Sequence, residues 1–252
     1  MTEAILSVEN LTKHFGGVAA VENLSLQVNT RELHAVIGPN GAGKTTLIDL
    51  LSGDLTPNSG TINFLGNDIV KLAPHRRSRL GIGRSYQKTN IFPSFSAVEN
   101  CRLAAQSREP RPLNWWRDAD HYRDTINDAR AALVTVGLAQ RSDDLALALS
   151  HGEQRQLEIA MCLATQPQLL LLDEPLAGMG SEESMAMVQL IERLAASHAI
   201  LLVEHDMDAV FQLAKVLTVM VDGKVIASGT PEEIRANSKV QAAYLGETDD
   251  GL

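Results

Sequence analysis

The sequence predicts an α/β domain built on a parallel sheet and carrying a helical insertion. Three stretches carry that prediction. His34-Ala35-Val36-Ile37 reads as a buried strand that runs into a glycine-rich segment and then into an amphipathic run beginning Lys44-Thr45-Thr46-Leu47-Ile48. Leu169-Leu170-Leu171-Leu172 is a continuous apolar run, the pattern of a central parallel strand buried on both faces, and it ends on Asp173-Glu174-Pro175. From about Val98 to Leu149 the texture changes: Ala and Leu recur at helical spacing, as at Ala129, Leu133 and Val136, with few β-branched runs.

Taken in order, Ile5–Val8 and Leu24–Val28 alternate like half-buried strands joined through a Gly16-Gly17 turn. Phe15, just before that turn, either packs on the first sheet or offers its ring to a purine base; its position favours the packing role. After His34–Ile37 and its helix comes a turn and strand at Ser59–Phe64. His75-Arg76-Arg77-Ser78-Arg79 is basic and reads as the solvated face of a short helix closed by Gly81, in preference to an anion or nucleic-acid patch. Gly83–Gln87 reads as a strand ending on a polar amide. Pro110, Pro112, Asn114 and the pair Trp115-Trp116 mark a loop inside the helical region. A helix opens at Gly152-Glu153-Gln154 and runs to about Thr165. Another spans about Ser181 to Ala196 and leads into the strand Ala199–Val203, which ends at Glu204-His205-Asp206. Val216–Val221 and Val225–Ala227 form closing strands around an Asp222-Gly223 turn, and Thr230-Pro231 opens a further helix with Thr as N-cap. The acidic Glu247–Asp250 reads as a frayed tail.

The bulk numbers narrow the classes. At 252 residues, 44% apolar and 21% charged, the chain suits a globular protein with an ample core. Lys plus Arg is 22 against Asp plus Glu 31, and this balance of −9 argues against a nucleic-acid-binding face. Cys101 and Cys162 match neither a metal-ligand spacing nor a disulfide framework, so buried free thiols are expected. The N-terminus shows no signal-peptide pattern, and every apolar run is too short to span a bilayer.

The chemistry starts at Gly38-Pro39-Asn40-Gly41-Ala42-Gly43-Lys44-Thr45, which matches the phosphate-binding pattern G-x-x-x-x-G-K-[ST]. Its glycines let the backbone curl so that successive N–H groups face one concavity, and the helix entered at Lys44-Thr45-Thr46 adds its N-terminal dipole. Lys44 can reach terminal phosphates, and the Thr45 hydroxyl can bind Mg²⁺. In an open parallel sheet the ligand lies at the carboxyl ends of the strands. Gln87, Asp173-Glu174 and His205 stand at such ends. Asp173 reads as the second-strand aspartate that holds Mg²⁺ opposite Thr45. Glu174 would sit by the γ-phosphate and orient, or take a proton from, the attacking water. His205 is either a γ-phosphate sensor or a surface histidine with its needs met.

Leu149-Ser150-His151-Gly152-Glu153-Gln154 resembles the signature sequence of ABC-type ATPases, and it stands a short helix upstream of Leu169–Glu174. Phosphate loop, glutamine loop, signature, carboxylate strand and switch histidine occur in that family's order over nearly the whole chain. The resemblance implies a P-loop NTPase fold of ABC type: a RecA-like core, an antiparallel β subdomain, and a helical subdomain inserted at about 88–160. Residues 4–240 would form this single domain and 241–252 a tail. It further implies that Phe15 stacks on the adenine of ATP, that Gln87 links Mg²⁺ and water to the helical subdomain, that Glu174 is the catalytic base and that His205 is the switch. Ser150 and Gly152 would contact the γ-phosphate held by a second copy in a head-to-tail dimer. The sequence departs from the family pattern at His151, where glycine is usual, at Glu153, where glutamine is usual, and at Gly180, where aspartate is usual.

More narrowly, Lys13–Gly17, the Trp115-Trp116 insertion, Gln156–Ala160, Glu204–Met207, Gly229–Ile234 and Ala243–Glu247 resemble the ATPase subunits of branched-chain amino-acid importers and their urea and amide relatives. That likeness implies integral membrane permease subunits as partners and a second ABC ATPase, identical or paralogous. It also implies an indirect link to a periplasmic or extracellular solute-binding protein, and a peripheral location on the cytoplasmic face of the inner membrane. An exporter component for lipid or polysaccharide, and a soluble ABC ATPase acting on nucleic acid or translation, are the alternatives.

Overall fold

The computed structural model describes residues 4–86, 90–108 and 119–245, with the backbone alone for 119–123 and 243–245. Gln87, the Pro110–Trp116 loop and the acidic Glu247–Asp250 lie outside the described residues.

The chain opens with two long strands, β1 (Ala4–Phe15) and β2 (Val18–Asn29), paired antiparallel across the Gly16-Gly17 turn. Both extend well past the cores expected for them. Register shifts along the pair break the simple alternation, and Asn10 and Asn23 take positive φ. β3 (Leu33–Ile37) then leads into α1 (Lys44–Ser52), followed by β4 (Ser59–Phe64), β5 (Asn67–Asp68), α2 (Pro74–Leu80) and β6 (Ile82–Arg84). Next come the three helices of the expected insertion, α3 (Ala97–Gln106), α4 (Ala119–Val136) and α5 (His151–Ala164). The chain returns through β7 (Leu169–Asp173), α6 (Ser181–Ala195), β8 (Ala199–Val203), α7 (Met207–Leu213), β9 (Val216–Val221) and β10 (Lys224–Gly229). It ends in α8 (Pro231–Arg235) and α9 (Ser238–Leu245). The last helix runs across residue 240, where a tail was expected to begin.

The strands form two sheets. A four-stranded antiparallel sheet runs β2-β1-β4-β5, and a six-stranded sheet runs β10-β9-β3-β8-β7-β6. In the larger sheet β9, β3, β8, β7 and β6 are parallel and β10 closes the edge antiparallel. Every residue of β3, β7 and β8 is buried. Their alternate side chains enter two cores. Val36, Leu169, Leu171, Leu201 and Val203 face α1 and the smaller sheet. Ala35, Ile37, Leu170, Leu172, Ile200 and Leu202 face a core shared with α5, α6 and α7. Each buried leucine contributes roughly 1.5–3 kcal/mol. The four leucines of β7 therefore offset the several kcal/mol that a buried carboxylate at the strand end costs, on the order of one ion's desolvation.

The basic stretch departs from expectation at one residue. Helix α2 does end on Gly81 in the left-handed conformation, and His75, Arg76 and Arg79 are exposed. Arg77, however, is sealed inside and donates to the carbonyls of Leu50, Leu51, Val70 and Leu72. It closes the C-terminal end of α1, whose last carbonyls have no partner within the helix. Both cysteines are buried and free, as expected.

Candidate functional site: a phosphate cradle at the strand ends

The sheet order fixes the site. In the row β3-β8-β7-β6, four successive carboxyl ends carry the phosphate loop, Glu204-His205, Asp173-Glu174 and the approach to Gln87. The loop after β3 bounds a cleft of about 430 Å³ lined by Asn40, Gly41, Ala42, Gly43, Lys44, Thr45 and Thr46, with Glu174 facing them. Gly38 and Pro39 form the base of the loop. Two glycines there are dictated by space: a Cβ on Gly38 would run into the Met220 carbonyl, and one on Gly43 into the Ala20 carbonyl. Gly43 also takes φ +97 and is the N-cap of α1 without a side-chain cap. The helix therefore presents bare N–H groups to the cleft, the arrangement that binds phosphate. Lys44 is buried, and its ammonium donates to the carbonyls of Gly38 at 2.5 Å and Pro39 at 2.9 Å.

Asp173 ends β7 almost completely buried, and neither of its carboxylate oxygens has a hydrogen-bond partner among the described residues. Burial is the main cause that pushes its carboxyl up to about 6, with Glu174 and Asp49 adding like charge and Arg84 and Lys44 opposing. Such a group calls for a cation. The adjacent Glu174 takes φ +48, a conformation that costs a non-glycine residue of order 1–3 kcal/mol. Its N–H donates to the Val203 carbonyl at 2.8 Å, which holds that conformation while the side chain lines the cleft.

His205 is exposed, and its Nδ1 lies 3.7 Å from a Glu204 carboxylate that is fully buried. Phe15 is half exposed with Lys13 Nζ 5.3 Å from its ring centroid, so it is not packed into the first sheet. It does not line the cleft, but its strand partner Val18 does.

The signature stretch sits apart from this cleft. Ser150 is the N-cap of α5, with its hydroxyl accepting from the Glu153 N–H while the Glu153 carboxylate accepts from the Ser150 N–H. Glu153 also pairs with Arg141 at 3.0 Å, so its charge is engaged locally. A Cβ on Gly152 would come 2.7 Å from Glu183 Oε1, and His151 packs near Gly178 in the segment after β7. Sequence reasoning gives no part to Ala19, Ala20 and Asp222, which also line the cleft, nor to Arg155 and Glu158. These last two, buried on α5, grip the backbone of Tyr86, the residue before Gln87: Glu158 accepts its N–H at 2.8 Å and Arg155 donates to its carbonyl at 2.8 Å. Beside them a second cavity of about 280 Å³ opens between β6, α2, α3 and α5, lined by Arg84, Tyr86, Ala104, Glu158 and Met161 among others.

Comparison with known proteins agrees with this geometry. The family described as "ABC transporter" matches residues 21–177, and that described as "Branched-chain amino acid ATP-binding cassette transporter" matches residues 224–250. The chain is 39% identical to the high-affinity branched-chain amino acid transport ATP-binding protein LivG of Salmonella typhimurium, over 98% of this chain and all of that one. It is 34% identical to the lipopolysaccharide export system ATP-binding protein LptB of Escherichia coli, over 97% of this chain and 98% of that one. Among solved structures it is similar to the ADP conformation of an ATP-binding cassette of an ABC transporter, at TM-score 0.84 and 28% identity, covering 97% of this chain and all of that one.

Proposed function

Because the chain belongs to the ABC transporter family of ATP-binding proteins, we propose that it binds and hydrolyses ATP to energise uptake of branched-chain amino acids or a related small solute such as urea or an amide. One observation carries the ATPase reading: Glu174 faces the phosphate loop and Lys44 across a single cleft.

In this reading the loop 38–46 and the bare N-terminus of α1 hold the phosphates, and Phe15 at the cleft's edge stacks on the base. Thr45 and Asp173, with Gln87, would hold Mg²⁺; the orphaned oxygens of Asp173 fit that role. When bound, the cation neutralises charge on the phosphate oxygens. Water attacks the γ-phosphorus, the bond to the ADP oxygen breaks, and Glu174 accepts the proton that the water loses. His205 donates a hydrogen bond to the γ-phosphate. Ser150 and Gly152 contact the phosphate held by a second copy or a paralogue, head to tail, and His151 and Glu153 flank that contact. The capping box at Ser150 occupies the Glu153 and Ser150 N–H groups, so this contact would rest on the helix dipole and the Ser150 hydroxyl.

One nucleotide-binding domain runs from residue 4 through α9 in this reading, with the insertion at about 88–160. Integral permease subunits dock at the groove beside Tyr86 and Glu158, which joins the strand before Gln87 to α5. Among the described residues no helix is long and apolar enough to cross a membrane, which suits a peripheral subunit on the cytoplasmic face. Permeases and a solute-binding protein outside the membrane select the solute. The −9 charge disfavours nucleic acid as a partner. The likeness to LptB favours, as a second reading, an export subunit; the match over residues 224–250 supports import over it.

Purification from native membranes in mild detergent tests the transporter reading. Recovery with integral membrane subunits and an ATPase partner is expected. Recovery alone, or with ribosomes or DNA, would contradict it.

A further inference from the structure

Glu204 is a buried acid that the machinery described so far does not use. Glu204 follows a strand whose every residue is buried, and it is itself fully buried. A carboxylate in that position costs several kcal/mol, on the order of an ion's desolvation, unless donors meet it. Here its two oxygens serve different loops. Oε1 accepts the N–H of Leu176 at 2.8 Å, two residues beyond Glu174. Oε2 accepts the N–H of His205 at 3.0 Å and lies 3.7 Å from Nδ1 of the same residue. The strands that carry these loops, β7 and β8, are neighbours in the sheet, and the Glu174 N–H is already bonded to the Val203 carbonyl. The loops are thus stitched at two successive points, once by backbone and once by the Glu204 side chain.

We propose that Glu204 is a positioning residue for the ATP site: it ties the loop of Glu174 to the loop of His205 and, with its carboxylate 3.7 Å from Nδ1, draws that edge of the ring toward itself when the site is at work, so that Nε2 is left for the γ-phosphate. A carboxylate that closes to hydrogen-bond distance on one imidazole nitrogen keeps the proton on that nitrogen and fixes the ring's orientation. The proposal rests on the reading of the cleft as an ATPase site for its kinetic consequence; the expected tautomer rests on the place of Nδ1 beside the Glu204 carboxylate.

The first test is imidazole ¹⁵N NMR on the unmodified chain at about pH 8, where a histidine is neutral, with the His205 signal identified by its loss in His205→Gln. The Nδ1–H tautomer should predominate in the wild type and lose its dominance in Glu204→Gln. An Nε2–H tautomer in the wild type, or the same tautomer in both proteins, overturns the proposal. The second is a kinetic cycle. Glu204→Gln should lower kcat by about tenfold or more with KM for ATP within about twofold, and Glu204→Gln/His205→Ala should lose no more than His205→Ala alone. Losses that multiply in full would mean that the two residues act independently, and would sink it. If the glutamine variant fails to fold, the wild-type tautomer still decides. If the tautomer is as expected but the wild-type chain hydrolyses no ATP, it is the ATPase reading that falls.

Discussion

The Arg77 guanidinium, sealed from solvent, donates to the Leu50 carbonyl at 2.7 Å and so closes the far end of the helix whose near end opens on the cleft lined by Lys44 and Glu174. Burial lowers its pKa from the usual arginine value, but four carbonyl acceptors hold the charge in place. Arg77→Leu leaves those carbonyls without their donor and should cost about 3–5 kcal/mol, by the magnitudes for unmade buried hydrogen bonds. Urea unfolding measures this; a loss under about 1 kcal/mol would mean that water or relaxation replaces the arginine readily.

Lys44→Ala should keep the fold and weaken ATP binding by about 100-fold, equivalent to roughly 2.7 kcal/mol. The Gly38 and Pro39 carbonyls hold its ammonium at the loop that bounds the cleft, so its loss removes a positive charge already in place. Titration calorimetry with ATP reads the effect, and undiminished affinity would contradict the cradle.

Gly43→Ala and Gly41→Ala separate space from backbone strain. At Gly43 a Cβ would meet the Ala20 carbonyl and φ is +97, so the substitution should destabilise the chain by more than about 2 kcal/mol and abolish ATP binding. At Gly41 no atom lies within 4 Å and φ is +79, so only the strain of about 1–2 kcal/mol remains. Equal thermal destabilisation in the two variants would refute this distinction.

Asp173 gives a pH dependence. Its carboxyl is pushed up to about 6, chiefly by burial, and only the ionised form can hold a cation. Protons therefore compete below that value: Mg²⁺-dependent ATP binding should be flat above about pH 7 and fall about tenfold per unit well below pH 6. Asp173→Asn should lose the Mg²⁺ dependence and with it that acid limb. The same acid limb in Asp173→Asn would assign it to another group.

What the sequence disclosed and what it withheld divide along physical lines. Strands β3 and β7 are legible because a short apolar run bounded by glycine or acid has few other readings, and Asp173 and Glu174 stand out as charges at the end of such a run. Strands β1 and β2 are only half legible, since their register shifts interrupt the alternation that marks a strand. Arg77, Glu158 and Glu204 are hidden for a different reason. Their partners lie 27, 72 and 28 residues away in the chain, and a buried charge looks like an exposed one until the fold supplies those partners. For Glu204 a signal was available, because it follows an unbroken apolar strand just as Asp173 ends one.

Turnover and binding by Glu174→Gln test the central claim most directly. The variant should bind ATP as the wild type does, lose hydrolysis by about 100-fold or more, and accumulate as an ATP-dependent dimer in size-exclusion chromatography. Hydrolysis at the wild-type rate would remove Glu174 as the base and, with it, the mechanism drawn from this cleft.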